Sequence, residues 1–325
     1  MAMALDVQTS DGDDDTTVVP QRDAFDEELE RRRAEADMQV PIVAALRSSA
    51  TDPVQPTRYR ACDMLHFACH RAVSCWNDCC HDTNITLTPY DLIRLGRHLG
   101  IRTSEVTPRF ATAVMHEPSG MPVLRLGLRD ASGARKPCVF LDLDKGCSVY
   151  SNRPAACRYY PLGLASVKMK GHDTPEDFYF LVKEPHCKGH DQPREQTVAQ
   201  FRHEQQVADY DEHNRGWIQI LMKLGSWKSL GGPWGKEPDE RVRRMFLMVS
   251  ADPDAFRRFV FGSSFLEKYA VDPAMRTQLE NDDEALMQLG FDWLRAVLFN
   301  EPTLHLREHV LQGAIAKARC ETGAV

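Results

Sequence analysis

The sequence predicts an α+β protein: a small cysteine-rich metal-binding domain with a short antiparallel meander, followed by a mainly helical C-terminal half. Three observations carry this. The chain has 325 residues and ten cysteines, and eight of the ten lie between Cys69 and Cys187. Between residues 123 and 183, apolar side chains come in short runs separated by turn residues, a strand pattern. Beyond about residue 195 they recur at three- and four-residue spacing, a helical pattern.

The elements follow in order. Residues 1–57 read as an acidic disordered or wrapping segment, punctuated by Pro41, Pro53 and Pro56. Order is expected from near residue 58. A domain over 58–195 holds the cysteines, and 196–325 is the helical region. The first firm helix starts at Thr88, which can cap. Pro89 suits a first turn, Asp91 can reach back as the capping-box acid, and Gly100 can end the helix. A second short helix is expected over 104–115.

Val123, Leu124, Leu126 and Leu128 then read as a strand, Ser132-Gly133 as a turn, and Cys138–Leu143 as a second strand. Phe178–Lys183 supplies a third. In the helical region Val198, Phe201 and Tyr210 are placed in one helix. Gly225–Pro238 reads as a loop carrying Trp227 and Trp234. Asp252-Pro253 and Asp272-Pro273 each place a capping acid before a first-turn proline. Phe256, Phe259 and Val260 mark one apolar face, and Leu286, Leu289, Trp293 and Val297 another.

Composition excludes several classes. No stretch comes near the roughly 20 apolar residues of a membrane span. Met1–Ser10 has neither a basic nor an apolar signal region, so a cytoplasmic location is expected. Residues 1–37 carry twelve acidic side chains against four arginines, which accounts for the formal charge of −7. The rest is near balance, and no basic field points to nucleic acid. A protein partner is left open.

In a reducing compartment clustered thiols read as metal ligands before disulfides. The first cluster is Cys69-x5-Cys75-x3-Cys79-Cys80. Four thiols so close together converge without long-range precision, and thiolate is the preferred ligand of soft metals and iron–sulfur clusters. The adjacent pair Cys79-Cys80 could serve two centres or bridge one. The second cluster is Cys138-x8-Cys147-x9-Cys157, with Cys187 further on. Four thiolates around Zn²⁺ or a [4Fe–4S]²⁺ cluster leave excess negative charge. Arg153 and Arg158 are therefore the expected cofactor-binding donors, with Lys145 and Lys188 beside them. His190 stands at a Cys-x2-His spacing from Cys187 and would favour zinc if it ligates.

The set Cys75, Cys79-Cys80, Leu87-Thr88 with Asp91, Cys138-x-Phe140-Leu141, Gly146-Cys147-Ser148-Val149-Tyr150, Arg153-Pro154-x-x-Cys157-Arg158, Pro161 and Cys187-x-Gly189 resembles the YkgJ-type cysteine-cluster family. That family is described as a zinc- or iron-chelating domain. The resemblance covers roughly residues 65–195. It implies a metal or iron–sulfur centre held by Cys69, Cys75, Cys79, Cys80, Cys138, Cys147, Cys157 and Cys187. It also implies kinship with flagellin lysine methylases. The family's C-x2-C-x2-C-C is not matched by the spacings of five and three, so the first ligand is Cys69 or one of Cys62, His66, His70 and His81. Cys62 and Cys320 are otherwise bystanders.

No dinucleotide, P-loop, radical-SAM, G-x-S-x-G or H-E-x-x-H motif is present, and no residue set shows catalysis. The functional reading is a protein holding an iron–sulfur cluster or zinc. The alternatives are a protein-modifying enzyme using that centre, similar to the flagellin methylases, and a structural zinc module.

Overall fold

The structure is a computed structural model that describes residues 53–132, 135–167, 176–229, 231 and 238–322. The acidic segment up to residue 52, Gly133 of the expected turn, and Trp234 lie outside the described residues. Strand β1, Val54–Tyr59, begins earlier than the expected residue 58. Pro56 falls within a shift of register between Val54 and Arg58, and β1 is an edge strand, where a missing N–H is tolerated. Strand β2 is Met64–His66 and β3 is Thr86–Leu87.

Helix α1, Pro89–Leu99, forms where the sequence places it. Thr88 Oγ1 accepts from the Asp91 amide at 3.1 Å, and Asp91 Oδ2 accepts from the Thr88 amide at 2.8 Å. Two first-turn N–H groups are thereby satisfied reciprocally. Helix α2, Thr103–Phe110, is shorter than expected. The chain leaves it for β4, Ala111–His116, which pairs residue by residue with β5, Met121–Leu126. Thr112 and Val114 are β-branched and suit that ladder. Strand β3 takes the other edge of β5, so this sheet has the order β3-β5-β4.

The expected meander is not one sheet. Cys138 makes only an isolated bridge to Leu128. The Leu141 amide turns back to the Cys138 carbonyl at 3.0 Å, which leaves the two-residue strands β6, Leu141–Asp142, and β7, Gly146–Cys147. Helix α3 is Ala155–Tyr159. Strands β8, Leu162–Val167, and β9, Glu176–Val182, then build a separate antiparallel sheet of order β1-β9-β8. Strand β10, Glu195–Thr197, returns to pair with β2.

The single helix expected around Val198–Tyr210 is two, α4, Val198–Gln205, and α5, Ala208–Ser229. The break is at Gln206, whose φ is 53°, and it turns Val207 into the core. Helix α5 runs on through Gly225–Ser229, where a loop was expected, because Trp227 packs edge-on against Phe299 with ring centroids 4.8 Å apart. Helices α6, Glu240–Ala251, α7, Pro253–Gly262, α8, Phe265–Lys268, α9, Pro273–Leu279, α10, Asp283–Phe299, and α11, Glu308–Thr322, complete the described chain. Asp252 and Asp272 cap α7 and α9 as expected. No helix among the described residues is long and apolar enough to cross a membrane.

Three apolar cores result. The largest gathers Phe246, Phe256, Phe265, Leu286, Phe291 and Trp293. Val297, expected on this face, is exposed. The second holds Leu87, Leu92, Leu95, Leu124, Phe140 and Leu141, and the third Leu65, Phe67, Tyr159, Leu162 and Phe201. Helix α1 faces two of them, with Tyr90 and Ile93 in the first and Leu92 and Leu95 in the second. It ties the cysteine-bearing segments to the helical half.

Candidate metal centre

The first cysteine cluster lies on a run of tight turns. Backbone bonds link Val73 to His70, Trp76 to Val73, Asp78 to Cys75, Cys80 to Asn77 and His81 to Asp78, with lengths of 2.9–3.1 Å. Such a run holds several side chains on one short loop without a core of its own. Trp76 pins the loop to the β6–β7 turn. A Cβ on Gly146 would come within 2.7 Å of the Trp76 ring, and Gly146 has φ +91°. Only glycine meets both conditions. Arg71 lies over Trp76 and donates to the Asp144 carbonyl from the same turn.

The second cluster sits beside it. The Cys138 amide donates to the Cys80 carbonyl at 2.7 Å, and Cys147 faces Leu141 across β6–β7. Cys157 is carried by α3. Cys187 precedes a short turn, Gly189–Asp191, in which the Lys188 amide donates to Cys75 Sγ at 3.1 Å. The Ala68 amide donates to the Gly189 carbonyl at 3.1 Å, and a Cβ on Gly189 would strike the Phe67 ring at 2.4 Å. The Cys187 turn is thus pressed onto the segment that leads to Cys69.

All eight cysteines of the two clusters are free thiols. Cys79 lies within electrostatic reach of Cys69, Cys138, Cys147 and Cys157. Desolvation pushes Cys69 up to about 11, although its side chain reaches solvent, and Cys79, Cys75 and Cys187 add to the shift. Burial raises Cys157, with Cys138, Asp91, Cys147 and Cys79 contributing. The Cys79 and Cys80 sulfurs are hydrogen-bonded to each other, which favours thiolate at Cys79 and keeps the proton on Cys80. Among the described residues, no three His, Cys, Asp or Glu side chains are gathered into a set that could hold one ion as they stand.

The arginines flanking Cys157 take different roles. Arg158 is almost fully buried. It donates to the carbonyls of Arg153 at 3.1 Å, Gln205 at 2.9 Å and Ser151, and it lies over the Tyr210 ring. Those bonds knit α3 to the end of α4. Arg153 donates to the Tyr150 carbonyl at 2.8 Å and to Gln205, and stacks on Tyr150. Its positive charge also favours thiolate at Cys69 and Cys147.

Replacing Arg158 by Ala is therefore expected to strand three carbonyls and lower stability by about 3–5 kcal/mol, as for other broken buried polar networks. Arg158→Lys should recover little, because one ammonium cannot span three acceptors. Urea unfolding of both variants is the check; a loss below about 1 kcal/mol for Arg158→Ala would refute the role.

One supporting residue could not be weighed from the sequence. Asp91 is fully buried, and its second oxygen, Oδ1, accepts from the Ala155 amide at 2.8 Å. The capping acid of α1 thereby fixes the start of α3, and with it Cys157. Its presence in the Leu87-Thr88-x-x-Asp91 motif was the available signal; the partner, 64 residues away, was not legible.

The remaining candidates are placed as follows. Cys62 is exposed and contacts its neighbour Asp63. His66 lies 3.6 Å from Glu195, His70 is exposed, and His81 contacts the Asn77 carbonyl. His190 packs against Phe67, and its Nε2 is buried without a hydrogen-bond partner. The Lys145 amide closes the β6–β7 turn onto Asp142. The side chain of Cys320 lies outside the described set.

The donor chemistry fits a thiophilic metal. Besides the Lys188 N–H on Cys75, the Tyr160 hydroxyl lies beside Cys187 and Glu184. Its O–H is bonded to the Cys187 sulfur and favours the thiolate there, as a donor to a metal-bound sulfur would.

The comparison with protein families agrees with this donor set. Residues 68–188 match the CxxCxxCC family, described as "Putative zinc- or iron-chelating domain". This segment is similar to that family. The matched range takes in both cysteine clusters and leaves out Cys62 and Cys320. No curated protein and no solved structure matches the chain.

Proposed function

We propose that the cysteine-cluster domain holds an iron–sulfur centre through Cys69, Cys75, Cys79, Cys80, Cys138, Cys147, Cys157 and Cys187. The observation that supports the reading is eight free thiols on one stretch of chain, with the Lys188 N–H on Cys75 Sγ and the Tyr160 hydroxyl beside Cys187. Zinc suits the same ligands. Iron–sulfur is preferred because the thiols outnumber what a single zinc takes. Arg153 supplies compensating charge. A reducing compartment such as the cytoplasm keeps the thiols available. When bound, an iron–sulfur cluster supplies one-electron chemistry, and zinc would supply a cross-link.

The test is the visible absorption spectrum of protein purified without oxygen, with iron, acid-labile sulfide and zinc measured on the same sample. A broad brown absorbance with iron and sulfide is expected. Colourless protein with bound zinc would move the reading to the structural module. A fully folded, metal-free protein after such handling would overturn metal binding altogether.

A further inference from the structure

We infer that Cys75 and Cys187 form an oxidation site: in metal-free protein, a low-molecular-weight disulfide such as oxidised glutathione joins them into one protein disulfide. The bond stands apart from the metal-binding reading above. Its consequence, that oxidation blocks metal loading, rests on that reading.

The backbone brings this pair together, although more than a hundred residues separate the two in the chain. The Lys188 amide, the first after Cys187, donates to Cys75 Sγ at 3.1 Å. That bond sets the Cys75 sulfur against the backbone at Cys187. The Cys187 sulfur is hydrogen-bonded to Cys75 and to the Tyr160 hydroxyl. Both residues are held by local turns. The Cys187 amide donates to the Glu184 carbonyl at 3.0 Å, and the Cys75 carbonyl accepts from the Asp78 amide at 3.0 Å. The Ala68 amide, on the segment leading to the first cluster, donates to the Gly189 carbonyl at 3.1 Å. Neither cysteine is fully buried, so a small oxidant can reach them.

The other thiols are less suited. Cys79 and Cys80 also bond through sulfur. The peptide between them is trans, which sets their Cα atoms about 3.8 Å apart, short of the roughly 4.4 Å at which disulfides begin. Cys138 is buried, with its amide on the Cys80 carbonyl, and Cys147 is held by the β6–β7 pairing to Leu141. Among the described residues no three ligating side chains are gathered for one ion as they stand. A disulfide needs only two, and this pair is already in contact.

The reaction is thiol–disulfide exchange. One thiolate of the pair attacks a sulfur of oxidised glutathione and expels one reduced glutathione. The partner sulfur then attacks the mixed disulfide, forms the Cys75–Cys187 bond and expels the second. The protein gives up two electrons and two protons, and the two glutathione thiols carry them away. The bond would clasp the Cys75 loop onto the Gly189 turn and withdraw two sulfurs from a metal.

The experiment starts from full chain that is reduced, stripped of metal by a chelator and desalted without oxygen. It is equilibrated in glutathione buffers of rising oxidised fraction, quenched with acid, and its free thiols are blocked with N-ethylmaleimide. Intact mass counts the lost thiols, and peptide mapping finds the bond. The first oxidised species should lack two thiols and yield a peptide linking Cys75 to Cys187. Cys75→Ser and Cys187→Ser should each require at least about tenfold more oxidised glutathione for any two-thiol loss, a difference of one decade in the exchange equilibrium. Cys69→Ser and Cys147→Ser should leave the first step unchanged. Near-UV circular dichroism confirms which variants are folded. A first disulfide between any other pair would overturn the inference, as would glutathione adducts at Cys75 or Cys187 that never resolve, or eight thiols that stay reduced throughout.

The metal arm uses zinc(II) on the same samples. Oxidised protein should retain less than half the zinc of reduced protein, and dithiothreitol should restore the difference. Equal zinc in both forms would overturn the competition with metal. Reduced protein that retains no zinc and no iron would overturn the metal reading and leave the disulfide standing.

Discussion

Stripping the metal from the loaded protein is expected to melt the cysteine-bearing segments 68–81 and 138–160 and leave the helical core standing. A chelator suffices for zinc, and iron requires prior oxidation. The reason lies in what the cysteine segments bury. Between Cys69 and His81 the only fully buried side chain is Val73, and the strands that carry Cys147 are two residues long. Turns of this kind have little apolar area with which to offset chain entropy. A structural metal contributes an apparent ~10–16 kcal/mol at neutral pH, which rivals the whole net stability of a domain at ~5–15 kcal/mol.

The largest core, with Phe246, Phe256, Phe291 and Trp293, contains no cysteine. Hydrogen exchange followed by mass spectrometry separates the two regions. Peptides from 68–81 and 138–160 should lose protection on metal removal, while peptides from α6, α7 and α10 keep theirs. Equal protection with and without metal would show that the segment folds on its own contacts and that the metal, if bound, is a passenger.

The parts of this molecule that could be read from the sequence are those whose partners are close in the chain. The capping box of Thr88 and Asp91 and the caps of Asp252 and Asp272 each lie within three residues of the N–H they satisfy. The thiols were legible because a soft donor four times in twelve residues has few other uses. What was hidden depends on distant partners. Strand β9 pairs with β1 across more than a hundred residues, so the expected meander could not foresee it. The break at Gln206 carries no glycine or proline. It is set by the demand that Val207 and Phe201 both enter the third core.

The flanking arginines show the same limit from the other side. Their type suggested donors to sulfur. In the fold, Arg158 meets carbonyls contributed by Ser151, Arg153 and Gln205, a set assembled only once α3 and α4 have met. A motif therefore contains two kinds of residue at once, candidate ligands and residues that hold the cysteine-bearing turn in place. Sequence spacing alone does not sort them.

Asp91 belongs to the second kind, and its titration makes the role measurable. Burial raises its carboxyl to about 6, with the Thr88 and Ala155 amides and the Arg158 charge opposing the rise. The folded chain therefore holds this proton more tightly than the unfolded chain does. Stability from the group is full below the unfolded value near 4 and is lost as pH rises through about 6. A shift of about two units corresponds to about 3 kcal/mol between those limits. Other carboxylates, among them Asp82 and Asp142, are shifted the opposite way by backbone amides, so the total curve mixes both signs.

The Asp91→Asn variant isolates the group. Its amide can accept from one of the two N–H groups but presents a donor to the other, which costs about 1–3 kcal/mol. The stability gap between wild type and Asp91→Asn is expected to narrow by about 3 kcal/mol from pH 4 to pH 7. Chemical denaturation of both proteins across that range provides the measurement. A gap that stays constant or widens with pH would mean that the Asp91 carboxylate is stabilised in the fold, and that the link from α1 to the Cys157 turn is a net ionic contact rather than a buried acid under strain.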